Sequence, residues 1–298
     1  MTDLPDEGIR LNKYVSDSGR CSRREADRWI SEGRVTLNGK PAELGSKVRP
    51  GDEVLLDGQP LVVDEPPVYV ILNKPVGITC TTERDVEDNI IDYLDHPQRV
   101  FPIGRLDKMS EGLILLTNDG DIVNQILRAG NAHDKEYLVI VDKPVTDDFL
   151  EGMRRGVPML GTRTRPCRAM RVGEFSFRVI LTEGLNRQIR RMCEYFDYRV
   201  RRLQRIRIMH LTLDGLPVGH WRDLTGKELE ILKTSLAHSL KTAQEGQQRR
   251  RSVRRDPPYQ QRTGDAGYRL AENKEPKSWR RPARTDHRRH DQDENHDD

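Results

Sequence analysis

No stretch of this 298-residue chain approaches the roughly 18 consecutive apolar residues that a membrane-spanning helix requires. Hydrophobic residues make up 35% of it and charged residues 33%, which predicts two or so domains with modest cores and excludes one large apolar globule. A leader is also missing: Met1 to Gly8 carries Asp3, Asp6 and Glu7 where a secretory signal has a basic and then an apolar stretch, so the expected location is cytoplasmic. Cysteine is scarce. Cys21, Cys80, Cys167 and Cys193 stand far apart with no Cys-x-x-Cys pair, which fits buried reduced thiols and argues against a disulfide framework or a zinc ribbon.

The common catalytic signatures are absent as well. There is no Gly-x-x-x-x-Gly-Lys-Ser/Thr, no Gly-x-Gly-x-x-Gly, no His-Glu-x-x-His and no Gly-x-Ser-x-Gly, which disfavours an NTPase, a dinucleotide enzyme and a zincin. The eight histidines are scattered without metal-ligand spacing, so no metal is expected. Thr117-Asn118-Asp119-Gly120-Asp121 lacks the later glutamate of a calcium loop and reads as a turn capping the helix that follows.

What the chain has is arginine, unevenly placed. The first 240 residues hold 36 basic and 37 acidic groups, yet two patches gather the cations: Arg20, Arg23, Arg24, Arg28 and Arg34, then Arg187, Arg190, Arg191, Arg199, Arg201, Arg202, Arg205 and Arg207. Guanidinium groups pair bidentately with phosphate and stack on bases, so dense arginine points to a polyanion partner. Acids alternate with the first patch and suit a solvated helix face too; the second has only Glu194 and Asp197 inside it.

Along the chain, Ile9, Leu11, Tyr14 and Val15 predict a short helix that Gly19 stops. Ser22 and Glu25 form a Ser-x-x-Glu capping box for a second helix, with Ala26, Trp29 and Ile30 on one side and Gly33 as its stop. Short strands follow at Val35–Leu37, Val54–Leu56 and Leu61–Val63, joined by Asn38–Gly39 and Asp57–Gly58 turns. Asp64-Glu65-Pro66-Pro67 reads as a stiff linker. Beyond it, strand patterns (Val68–Leu72, Leu113–Leu116, Tyr137–Val141, Phe175–Leu181, Ile206–Leu213) mix with helical ones (Ile90–Leu94, Ile122–Arg128, Asp147–Arg155, Arg187–Phe196), predicting an α+β domain on a mixed or largely antiparallel sheet. From Lys241 on only nine residues of 58 are apolar or aromatic, too few to offset chain entropy, so a disordered basic tail with an acidic tip at Asp291–Asp298 is expected. The division is thus 1–66, 67–240 and 241–298.

One carboxylate stands between two cations: Asp107, in Gly104-Arg105-Leu106-Asp107-Lys108, just ahead of an apolar strand. A carboxylate kept ionised by nearby cations suits work at a glycosidic carbon, although an Asp beside Arg and Lys is more often a surface ion pair. No second acid in a comparable setting is found, which disfavours a glycosidase.

Two resemblances sharpen this. Arg10-Leu11-Asn12-Lys13, Ser22-Arg23-Arg24-Glu25-Ala26 and Gly33-x-Val35-x-Leu37-Asn38-Gly39 resemble the alpha-L RNA-binding motif, named from ribosomal protein S-four; this implies that Arg10, Lys13, Arg23, Arg24 and Arg28 face RNA. The stretch around Gly104-Arg105-Leu106-Asp107, with Asn73-Lys74-Pro75-x-Gly77, Lys135-Glu136-Tyr137 and Gly184-Leu185-Asn186-Arg187-Gln188-Ile189-Arg190-Arg191-Met192, resembles the ribosomal RNA pseudouridine synthases of the RsuA, RluB, RluE and RluF group. Arg128-Ala129-Gly130-Asn131 and Lys135-Glu136-Tyr137 look most like the RluF branch, of dual 23S ribosomal RNA and tRNA specificity. Together the two resemblances span roughly residues 9 to 235.

The second resemblance implies an isomerase that detaches, turns and rejoins uracil without a cofactor. Asp107 is then the nucleophile or general catalyst, Arg190 its ionic partner and Tyr137 the ring stacked on the target uracil. Ile189 packs on the base's other side, Arg105 fills the stack vacated by the flipped nucleotide, and Arg187 and Arg191 hold substrate. The implied partner is structured RNA, ribosomal and also tRNA, engaged by a monomer away from membranes. The competing reading is a non-catalytic RNA-binding or ribosome-assembly protein, which has no need of Asp107, Tyr137 and Arg190 together.

Overall fold

Two Xaa-Gly pairs set the shape of the N-terminal part. In the computed structural model, which describes residues 7–62, 66–127 and 133–237, Asn38 and Gly39 both take positive φ (53° and 73°), as do Asp57 and Gly58 (52° and 77°). Two consecutive left-handed residues make the tight turn that matches strand twist. Each closes a hairpin of one small sheet.

In chain order this part comprises β1 (Ile9–Arg10), α1 (Leu11–Asp17), α2 (Arg23–Ser31), β2 (Val35–Leu37), β3 (Lys40–Pro41), β4 (Lys47–Val48), β5 (Val54–Leu56) and β6 (Gln59–Pro60). The sheet order is β3-β2-β5-β6, while β1 pairs with β4. At the start of α2, Ser22 Oγ accepts from Glu25 N at 3.2 Å and the Glu25 carboxylate accepts from Ser22 N at 3.5 Å. The capping box therefore forms, and it turns Ala26 and Ile30 inward onto Leu11, Val15, Val35, Val54 and Leu56. The strand expected at Leu61–Val63 lies earlier, at Gln59–Pro60, because the Asp57–Gly58 turn is only two residues long and pairing resumes directly after it.

The second part runs β7 (Tyr69–Lys74), α3 (Ile90–Leu94), β8 (Phe101–Ile103), β9 (Glu111–Thr117), α4 (Gly120–Leu127), β10 (Lys135–Val141), α5 (Asp147–Arg154), β11 (Pro158–Met159), β12 (Thr162–Arg163), β13 (Arg168–Gly173), β14 (Ser176–Leu181), α6 (Gln188–Tyr195), β15 (Val200–Ile208), β16 (Leu211–Thr212) and β17 (Trp221–Asp223). A further helix, α7, covers 226–237. Nine strands make one sheet in the order β13-β14-β10-β15-β9-β7-β17, with β16 on β15 and β8 on β9. Every described pairing in it is antiparallel except β9 with β15. That parallel seam joins two antiparallel halves.

Alternation sorts the side chains. Val139, Val141, Phe177, Val179 and Leu203 face α5 and α6, whose Phe149, Leu150, Met153, Ile189 and Met192 complete a core. Ile71, Leu113 and Leu115 face α4 and α7, whereas Val70, Leu72, Ile114 and Leu116 face α3 and the loops that carry Ile78, Cys80 and Leu106. The Asp119 carboxylate accepts from Asp121 N (3.0 Å) and Ile122 N (3.4 Å), so the Thr117–Asp121 stretch is the expected helix-capping turn. The proposed tail, residues 241–298, and the Arg128–Asn131 string lie outside the described residues.

Sequence patterning missed several elements. β13, β8, β17 and α7 were not expected, and the strand predicted at Ile206–Leu213 begins earlier, at Val200, then turns at Met209 into β16. The missed part of β15 reads as a run of arginines, whose charge hides a partly buried strand: Leu203, Arg205 and Ile208 are buried while Arg201 and Arg202 are exposed.

Candidate active site

Asp107 sits in the connection between β8 and β9, and backbone bonds fix that connection. The Asp107 carbonyl accepts from Ser110 N at 2.9 Å, the Lys108 carbonyl accepts from Gly77 N at 2.8 Å, and Leu106 N donates to Cys80 Sγ at 3.4 Å. Beneath the loop, Lys74 is wholly buried, and its Nζ donates to the carbonyls of Pro75 and Ile78 at 2.8 Å and of Lys108 at 3.5 Å. The Asn73-Lys74-Pro75-x-Gly77 string is therefore the bracket of the Asp107 loop. Burial holds the Lys74 pKa below its ordinary value, partly offset by nearby Asp107 and Glu111.

Gly112 ends the loop where β9 meets β15. At φ +104° it lies opposite Arg205, and a Cβ there would stand 2.2 Å from the Arg205 carbonyl oxygen. Only glycine lets the two backbones come this close.

Arg190 reaches the same loop from α6. Its Nε lies 3.8 Å from Asp107 Oδ2, one terminal nitrogen donates to the Met109 carbonyl (2.8 Å) and Ser110 Oγ (3.3 Å), and the other to the Val200 carbonyl (3.4 Å). The Arg190 side chain is 11% exposed and the Asp107 carboxylate 32%, so the pair is buried on the arginine side and open on the carboxylate side. Burial and Arg187 lower the Arg190 pKa, while Asp107 raises it.

Tyr137 comes from β10, between Val179 on β14 and Arg205 on β15, just past a register shift at Glu136/Tyr137. It packs against two cores, one containing Ile189 and the other Leu106. Its neighbour Glu136 points to the opposite face and binds Arg207 (2.8 Å) and Arg178 (3.6 Å). The structure thus gathers Asp107, Arg190, Tyr137 and Ile189 at the β9–β15–β10 junction. Arg105 stands beside them, exposed and with no ion pair among the described residues.

The remaining arginines divide into two kinds. Arg187 is exposed at the start of α6, and Arg191 donates to Asn186 (3.1 Å) without a carboxylate partner. Arg202 binds Glu111 and Arg207 binds Glu136, so these two support the sheet, while Arg205 is 3% exposed with its Nε on the Leu113 carbonyl. In the N-terminal part Arg10, Arg20, Arg23 and Arg24 are exposed with no ion pair among the described residues. Arg28 is held by Glu25 (3.4 Å) and Glu32 (3.7 Å), Arg34 by Asp57 (2.6 Å), and Lys13 by Asp17 (2.7 Å) and Asp121 (3.3 Å). Sequence reasoning assigned no role to Lys74 or Glu111 and counted Arg205 as part of a surface patch. A buried cation carries no local signature, because backbone carbonyls, whether near like Pro75 and Ile78 or distant like Leu113, can be offered by any residue type.

The four cysteines are free thiols, three of them buried; burial pushes Cys21 and Cys167 up to about 11 and Cys193 up to about 12. Among the described residues no helix is long and apolar enough to cross a membrane, and no three His, Cys, Asp or Glu side chains are grouped to hold a metal ion.

Known proteins resemble this chain in sequence and in fold. The RNA pseudouridylate synthase family model matches residues 68–195, and the S4 domain model matches residues 9–54. The chain is 52% identical over 275 residues to the dual-specificity RNA pseudouridine synthase RluF of Escherichia coli strain K12, covering 91% of this chain and 95% of that one. It is 35% identical over 238 residues to the ribosomal large subunit pseudouridine synthase B of Bacillus subtilis, covering 77% and 97%. A crystal structure of a pseudouridylate synthase superposes with TM-score 0.56 at 28% identity, over 75% of this chain and 99% of that one. The chain belongs to the RNA pseudouridylate synthase family, isomerases that convert uridine to pseudouridine in RNA, and it carries an S4 domain ahead of the catalytic part.

Proposed function

We propose that this enzyme isomerises a specific uridine in 23S ribosomal RNA and also acts on a tRNA, the two-substrate activity that the name of its RluF relatives states. The observation that carries the reading is the Asp107–Arg190 ion pair, buried on one side and open on the other, at the sheet junction that also presents Tyr137. A protein that only bound RNA would gain nothing from a partly desolvated carboxylate, since phosphate is repelled by it.

In this reading Asp107 is the nucleophile or general catalyst, and Arg190 holds it in place through three contacts on the same loop. Breaking the N1–C1′ bond frees the uracil, which turns and rejoins through C5; the proton on C5 is lost and N1 gains one. Tyr137 stacks on the base during that turn and Ile189 closes its other side. Flipping the nucleotide out costs a few kcal/mol of stacking, which Arg105, free of ion pairs, offsets by entering the gap. Arg187 and Arg191 hold the flanking backbone. Arg10, Arg23 and Arg24 meet phosphate more directly than Lys13 and Arg28, whose charges carboxylates already share.

The working unit is a cytoplasmic monomer divided at 1–66, 67–240 and 241–298, and the tail adds affinity for RNA. To test the reading, pseudouridine is mapped across cellular RNA in a deletion strain and in the same strain complemented with wild type or Asp107→Asn. The expected result is a site that wild type alone restores, while purified Asp107→Asn keeps RNA affinity within about an order of magnitude. Restoration by Asp107→Asn overturns the role of Asp107, and an unchanged map in every strain favours the RNA-binding alternative.

A further inference from the structure

β15 uses its arginines on two faces. Arg202 and Arg207 form ion pairs with Glu111 and Glu136, but Arg205 points the other way. Its register partners are Tyr137 on β10 and Gly112 on β9, so its side chain leaves the sheet on the face from which Tyr137 rises. It is 3% exposed. Nε donates to the Leu113 carbonyl at 2.7 Å, whereas Nη2 is buried with no hydrogen-bond partner among the described residues, and no described carboxylate forms an ion pair with it.

The cations nearby do not relieve this. Lys74 is wholly buried on carbonyls, and Lys135 Nζ is held by the His133 carbonyl at 3.3 Å. Burial lowers both lysine pKa values and Arg205 pushes each the same way. Against Lys74, Lys135, Arg190 and Arg205 stand Asp107, which Arg190 already binds, Glu111, which Arg202 already binds, and Asp134 beside Lys135, which Arg168 and Arg207 already bind. The junction is left with positive charge in excess.

Burying a guanidinium without a counter-charge is unfavourable, so such a group is expected to meet an anion or strong acceptor when the protein works. The reaction supplies one. When the N1–C1′ bond breaks heterolytically the electron pair leaves with the uracil, and its negative charge spreads onto O2 and O4. The charge lasts until C5 bonds to C1′, after which loss of the C5 proton is balanced by protonation of N1.

We propose that Arg205 donates the free hydrogen bond of Nη2 to a carbonyl oxygen of the detached uracil, stabilising the base as an anion between its two glycosidic bonds. The inference rests on the reading of Asp107 and Tyr137 given above. It makes Arg205 a catalytic residue that matters after Asp107 has acted, and it accounts for a buried arginine beside the stacking ring.

Sulfur is a poorer acceptor than oxygen, so the test needs no change to the protein in its first arm. The RNA substrate is prepared with uridine, 2-thiouridine or 4-thiouridine at the target, and single-turnover rates are measured for wild type, Arg205→Lys, Arg205→Met and Asp107→Asn. Wild type is expected to slow about tenfold on one of the two thio substrates, the equivalent of one weakened hydrogen bond. Arg205→Met is expected to lose about 100-fold in rate on uridine with RNA affinity kept, and to lose the thio effect, while Arg205→Lys recovers part of both. Equal wild-type rates on all three substrates overturn the proposal, as does a thio effect that survives in Arg205→Met. Should Arg205→Met not fold, the wild-type arm and the Arg205→Lys arm decide it. Turnover by Asp107→Asn instead overturns the underlying reading of the site, a separate outcome.

Discussion

Lys74 and Glu228 are charged groups held away from water in different ways. Lys74 is surrounded by carbonyls, and burial outweighs them. Glu228 is met by both terminal nitrogens of Arg222 at 2.8 Å and by Thr225, so its pKa falls to about 2, with the Arg222 hydrogen bond as the main cause. A carboxyl with a depressed folded-state pKa stabilises the protein fully above its ordinary value and loses that contribution as pH falls through the depressed one. Glu228→Gln is therefore expected to destabilise by about 2 kcal/mol at pH 7. In urea melts the difference from wild type should shrink between about pH 4.5 and about pH 2; a constant difference counts against the ion pair. Glu228 was overlooked although Thr225-x-x-Glu228 is a capping-box pattern like Ser22-x-x-Glu25, and the two residues do bond each other at the start of α7; the Arg222 partner alone carried no such pattern. Asp107, by contrast, stood out locally because cations flank it. Its pairing with Arg190, from a distant helix, was legible only through family resemblance.

Helix α2 shows why a cluster of arginines is not yet a binding face. Capping was readable because Ser22 and Glu25 are neighbours in sequence and their bonds are local. The fate of the arginines depended on Glu32 and Asp57, which fold back onto Arg28 and Arg34 and leave Arg23 and Arg24 open. Replacing Arg23 and Arg24 together by Ala is expected to weaken RNA binding and to flatten its dependence on log salt by about 1.5 units, close to two phosphate contacts. Replacing Arg28 should leave that slope unchanged. Titrations at several salt concentrations measure both; equal slopes for the two variants remove α2 from the RNA footprint. The same masking hid the first half of β15, where a partly buried strand was written in arginines.

For the molecule as a whole, the four buried clusters extend, among the described residues, as far as Leu236, and the composition after Lys241 offers few apolar residues to add to them. A chain ending after Lys241 should therefore unfold in one cooperative transition within a few degrees of the full-length midpoint by calorimetry, since hydrophobic burial dominates stability. Loss of that transition would place part of the core in residues 242–298. The order of the elements was legible from period and turn chemistry, whereas strand order in the nine-stranded sheet was not, because pairing is set by contacts between distant residues.

One such pairing governs when the enzyme becomes active. The seam between β9 and β15, tied by Arg205 to Leu113 across 92 positions of chain, brings the Asp107 loop to the strand beside Tyr137. Contacts of that separation form late, after local hairpins and helices have lowered the entropy of closure. A chain still leaving the ribosome has an S4 domain able to fold before its catalytic centre can exist. Affinity for RNA thus precedes the power to modify it, and the order is set by where β15 lies in the sequence.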